Sequence, residues 1–118
     1  MRLRSHTVAA FVDAALDRAR DRIVAALRQT LPGDTSHVTV ETLQALCDYG
    51  ITRAAVYGLD TERSIYVYVA AMVLYGEQFD TNPRLPWAPE ILNGEIIDQE
   101  VISKGLELQI AIDKGKRI

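Results

Sequence analysis

The chain has 118 residues, of which 48% are hydrophobic and 25% charged, and it carries a formal net charge of −3 at pH 7. Length and balance fit one domain, residues 1–118, with a core that needs no disulfides. Cys47 is the only cysteine, which excludes an intramolecular bridge and fits a reducing compartment.

The charge is unevenly spread. Residues 1–32 hold six arginines against three aspartates, whereas residues 33–118 hold thirteen acids against seven bases. No basic face interleaved with aromatics is visible, so nucleic acid is not an expected partner. The acidic remainder suits solvated helix faces, or a surface that meets a basic partner. Asp13, Asp17, Arg18 and Arg20 interrupt the apolar stretch that an export signal would need. The longest uncharged apolar run, Ser64 to Tyr75, falls far short of the ~20 residues that span a bilayer. A soluble, cytoplasmic protein with no membrane partner is expected.

Helical periodicity starts near Thr7 and continues to Thr30. Val8, Phe11, Val12, Ala15, Leu16, Ala19, Ile23, Ala26, Leu27 and Leu31 form one apolar stripe. Pro32-Gly33-Asp34 ends it and opens a loop to about His37. A second helix is predicted from Thr39, a plausible N-cap, to Tyr57. Leu43, Leu46, Cys47, Gly50, Ile51, Ala54 and Tyr57 stay in phase, so Gly50 is read as a point of close helix packing rather than a break. The alternative, a helix ending at Gly50, is kept open. Gly58 is the expected residue just past the helix end.

A third helix is predicted from Thr61 to Tyr75. Its residues Ile65 to Tyr75 leave no polar face, which places it at the centre of a bundle, with Ile65, Val69, Met72 and Val73 in the core. Gly76 to Pro89 holds three prolines and is expected to be irregular, pinned by Phe79, Leu85 and Trp87. Pro89 then opens a short helix that Asn93-Gly94 closes. From Glu95, Ile97, Val101, Gly105, Leu108 and Ile112 fit one helical stripe, which Ile102, Leu106 and Ile110 extend. Leu106 to Ile112 also alternates like a strand, but no partner strand exists, and helix is preferred. The fold class is therefore all-α: a bundle of four to five helices with a proline-rich loop before the C-terminal helices.

Few residues offer chemistry. His6 and His37 lie in a terminus and a loop, without companions at metal-ligand spacing. Cys47 on an apolar face reads as a small core residue. Asp80-Thr81-Asn82 begins like a calcium loop, but Arg84, Leu85 and Ile91 occupy places that need a ligand, glycine and glutamate. No specific divalent metal site and no cofactor are expected. Asp60, Glu62, Glu77, Asp80, Glu90, Glu95, Asp98 and Glu100 fall in turns and helix starts, where capping and solvation account for them. An enzyme would need a polar pocket that the sequence does not display. Tyr68, Tyr75, Phe79 and Trp87 read first as core aromatics. Alternatively Trp87, Phe79, Tyr68 and Tyr75, with Asp80 beside them, form a partner-binding groove.

One stretch carries a resemblance. Gly50-Ile51, Arg53-Ala54, Tyr57-Gly58, Glu62-Arg63, Ile65 and Tyr68 are followed by Gly76, Phe79-Asp80, Pro83, Leu85-Pro86-Trp87-Ala88 and Ile91-Leu92. This pattern resembles a family of small helical bacterial proteins encoded among type VI secretion spike and effector genes. The resemblance covers Leu43 to Leu92. It implies an accessory role without catalysis: an adaptor or chaperone for a secreted effector or spike protein, or an immunity protein that blocks a toxin.

Overall fold

The computed structural model describes residues 9–94 and 98–115, apart from the side chains of residues 9–13 and 115. Six helices follow in order: α1 (Ala9–Thr30), α2 (Pro32–Thr35), α3 (Val40–Val56), α4 (Glu62–Tyr75), α5 (Trp87–Leu92) and α6 (Gln99–Gly115). There is no strand among the described residues, and the fold is an all-α bundle. No helix among them is long and apolar enough to cross a membrane.

Helix α4 is the central stave, as its lack of a polar face predicts. It packs on α1, α3 and α6, and Ile65, Val67, Tyr68, Val69, Ala70, Ala71 and Met72 are all buried. Val73 is only partly buried and borders the core rather than filling it. Thr61 and Ser64 form a reciprocal capping box at its start, which satisfies backbone N–H groups that the helix leaves open. Gly76 ends it with φ of 105°, a conformation that costs glycine little.

Helix α3 begins with Thr39, whose hydroxyl accepts from the Thr42 N–H, and runs unbroken through Gly50. The alternative of a break there is excluded. A Cβ on Gly50 would lie 2.6 Å from Val69 Cγ2 and 3.1 Å from Met72 Sδ. The missing side chain is thus what lets α3 and α4 approach. Gly50→Ala gains about 1 kcal/mol of helix propensity. It must also displace Val69, which is buried and β-branched, hence stiff in a helix. A net loss of about 1–2 kcal/mol is expected from overpacking. Urea denaturation checks this, and Val69→Ala should then cost less in the Gly50→Ala background than alone. A fully additive double variant would exclude the contact.

Helix α1 buries Ala19, Ile23, Val24 and Leu27 against α3 and α4. The expected start at Thr7 lies outside the described residues. Its cations are largely engaged within the fold. Arg20 reaches Asp48 at 3.4 Å, Arg22 pairs with Glu62 at 2.6 Å, and Arg28 donates to the Thr35 and Val38 carbonyls at 3.1 and 2.7 Å. The expected loop after Thr30 is instead one helical turn, α2. Proline suits a first helical position because the N–H it lacks would have no partner there, and the Thr35 hydroxyl donates back to the Leu31 carbonyl at 2.8 Å.

The proline-rich stretch is ordered by short turns. Phe79–Thr81 forms a 3-10 turn, and α5 opens at Trp87 rather than at Pro89. Pro89 sits in the first turn, where no intrahelical N–H is required. Helix α6 removes the strand alternative and corrects the face. Ile102 and Leu106 point inward, whereas Val101, Leu108 and Ile112 of the expected principal stripe are exposed. Ile97 lies outside the described residues. The first residue of α6 is tied to the start of α4: the Gln99 Oε1 accepts from the Asp60 and Thr61 N–H groups at 3.0 and 3.2 Å and from the Ser64 hydroxyl at 2.9 Å.

Candidate functional site

The residues singled out in the sequence come together around the 3-10 turn that follows α4. Asp80 follows Phe79 in the 3-10 turn and is buried, against the expectation that it is solvated like the other turn acids. Its Oδ2 accepts from Arg53 Nη2 at 2.5 Å and from the Tyr57 hydroxyl at 2.6 Å. Arg53 lies in the last turn of α3 and Tyr57 caps its C-terminal end, four residues on, so the two donors sit side by side. Burying a carboxylate is costly unless it is paired and hydrogen-bonded, and here a guanidinium and a phenol supply that compensation.

The electrostatics follow from this geometry. Burial alone would push the Asp80 carboxyl up. Hydrogen bonds from Tyr57 and Arg53, with the Arg53 charge, outweigh burial and hold it below the usual aspartate value. Burial, reinforced by the Asp80 carboxylate, pushes Tyr57 up to about 12. Burial also raises Tyr68, whose hydroxyl has no hydrogen-bond partner among the described residues, as is true of Asp80 Oδ1 and Arg53 Nε. At neutral pH the cluster is an ion pair between Arg53 and Asp80 beside two neutral phenols. The carboxylate thus has a cation and a phenol donor, which hold the 3-10 turn against α3.

A row of aromatic rings leads from the pair toward the surface. Tyr57 and Tyr68 are 6.1 Å apart between centroids, Tyr68 and Phe79 5.0 Å, Phe79 and Trp87 6.3 Å, and Trp87 meets Tyr75 edge-on at 5.0 Å. All five partner-binding candidates, Tyr68, Tyr75, Phe79, Asp80 and Trp87, therefore belong to one cluster. They are not equally placed. Tyr68, Phe79 and Asp80 are buried and face the interior, while Tyr75 and Trp87 are half-buried. An open groove lined by all five is corrected to an aromatic edge formed by Tyr75 and Trp87, seated on a buried base. The Tyr75 hydroxyl donates to Asp113 of α6 at 2.5 Å, which joins that edge to the C-terminal helix.

Arg53 and Tyr57 were not singled out as site residues from the pattern. The signal existed: both belong to the stretch that carries the family resemblance, as do Phe79, Asp80 and Trp87. Cys47 is buried, and burial raises its thiol to about 12, so it packs as a small apolar residue. His37 is exposed, and His6 lies outside the described residues. No cluster of three or more His, Cys, Asp or Glu able to hold a metal ion occurs among the described residues. Comparison with family profiles, curated proteins and solved structures finds no match to this chain.

Proposed function

We propose that the chain is a non-enzymatic protein-interaction module of the cytoplasm, an adaptor or chaperone for an effector or spike protein of a type VI secretion system. The family resemblance supplies the class of partner. The observation that supports an interaction role is the Trp87–Tyr75 edge. Trp87 is half-buried, held edge-on by Tyr75 and stacked on Phe79. A large aromatic fixed in place before binding loses little entropy when a partner covers it, and such residues dominate binding energies.

The test uses the purified products of the genes that neighbour this one, with binding read by calorimetry. One of them should bind, and Trp87→Ala should weaken that binding by at least about 100-fold, as for a hot-spot aromatic. Because Trp87 is only half-buried, the same change should cost about 2 kcal/mol of stability, below the range for a fully buried ring. The variant then stays folded at assay temperature, which circular dichroism verifies. Unchanged affinity would remove Trp87 from the interface, and no binding by any neighbouring gene product would overturn the reading. Neutralisation of a toxin by the bound chain would instead assign the immunity role.

A further inference from the structure

The outer face of α6 carries an apolar stripe that remains exposed among the described residues. Val101, Leu108 and Ile112 are 49%, 63% and 44% exposed, and exposed Ala111 lies beside them. They fall on one side of the helix at intervals of seven and four residues, the spacing of a helix–helix seam. The stripe runs about 16 Å along the helix. Isolated exposed leucines are ordinary, but an aligned row on one helix marks a contact surface.

The charges beside the stripe identify what covers it. Along the flank that faces α4 the order is Glu100, Lys104, Glu107, Lys114. A second α6 laid antiparallel, with a two-fold axis between Lys104 and Glu107, sets Lys104 of each copy opposite Glu107 of the other. The same register brings Glu100 near Lys114. In a parallel two-fold pair this flank would face the opposite flank of the second copy, and neither of these contacts would form. Glu107 also pairs with Arg63, which holds its carboxylate on this flank. We propose that α6 is a self-association face, through which two copies of the chain pair antiparallel. In this register Val101 packs against Ala111 of the second copy, and Leu108 lies over the aliphatic stem of its Lys104. A two-fold interface of this kind is self-complementary and closes at the dimer. Its small size sets a weak, concentration-dependent equilibrium.

Sedimentation equilibrium from ~5 to ~500 µM chain tests the pairing, since dimer population follows concentration by mass action. The wild-type mass should rise toward that of a dimer. Leu108→Ser should weaken association at least ~10-fold without lowering the melting temperature, because its side chain touches solvent in the monomer. Lys104→Glu and Glu107→Lys should each give monomers, and the double swap Lys104→Glu/Glu107→Lys should restore the dimer. Direction is read by Val101→Cys: in the antiparallel register the two positions lie ~13 Å apart along the axis and cannot bridge. A wild-type chain that stays monomeric throughout overturns the proposal, as does an unaffected Leu108→Ser dimer. A monomeric double swap that melts like the wild type, or efficient disulfide formation by Val101→Cys, overturns the antiparallel register. Should Leu108→Ser disturb binding of another protein while the wild type is monomeric, the face serves that partner and self-pairing fails.

Discussion

Val69→Asp should abolish cooperative folding or lower stability by about 4–6 kcal/mol, the range of an uncompensated buried charge. Val69 is fully buried in the middle of α4, and its Cγ2 faces the gap left by Gly50. A carboxylate there finds no cation and no space to reach water, because α3 closes over it. Protonation would relieve part of the cost, so the variant should be least stable at neutral and alkaline pH. Since a domain of this size is stable by only about 5–15 kcal/mol, the loss is enough to expose the core. A thermal melt followed by circular dichroism decides the matter. A midpoint within a degree or two of the wild type would mean that α4 is not the centre of the bundle.

Asp80→Ala is expected to cost about 3 kcal/mol at pH 7, the lower end of the range for breaking a buried ion pair. The estimate is at that end because Arg53 retains some access to water: its side chain is 28% exposed, against 0% for Asp80. Asp80→Asn should cost less, since an amide oxygen still accepts from Tyr57. The pH dependence has a definite sign. The Asp80 carboxyl sits lower in the folded chain than in the unfolded one. Its stabilisation is therefore fully present above the ordinary aspartate value of about 3.9 and is lost as pH falls through the folded value. Tyr57 acts at the other end. Its folded value, raised to about 12, lies above the ordinary tyrosine value, so its contribution holds below about 10 and fades as pH rises beyond that. Urea denaturation of the wild type and Asp80→Ala across the acid limb checks the first claim. The stability gap should narrow as pH drops below the aspartate range, and a constant gap would show that the ion pair is not its source.

How much of this was legible depends on the distance over which each feature is encoded. Helix α4 was readable because an unbroken apolar run with a capping start is a local pattern. Gly50 was readable too, since the phase of α3 survives it and leaves close packing as its purpose. Helix α6 was readable as a helix but not as a face. Its residues make two apolar stripes about 130° apart, one through Val101 and Leu108 and the other through Ile102 and Leu106. Only docking against α4 and α5 decides which is buried, and periodicity favoured the exposed one. Asp80 was misplaced for a similar reason. Its cation, Arg53, lies 27 residues away, on an element whose orientation no local rule determines. The aromatic row was foreseen in composition but not in depth. Tyr68 and Tyr75 were read alike as core aromatics, while the structure buries the first and leaves the second at the edge.

The Gln99 clasp has a consequence for how the molecule breathes. The amides of Asp60 and Thr61 sit in a turn, where protection from solvent is ordinarily slight, yet both bond to a side chain nearly forty residues downstream. Lifting α6 away from the bundle, with every other helix intact, would strip the Asp60 amide and the Ser64 hydroxyl of an acceptor each and leave the Thr61 amide only its capping-box bond to Ser64. Fraying at the C-terminal helix is therefore transmitted to the first turn of the central one. Hydrogen exchange at the Asp60 amide should therefore report the opening of α6, and the core stave is only as well seated as the last helix laid against it.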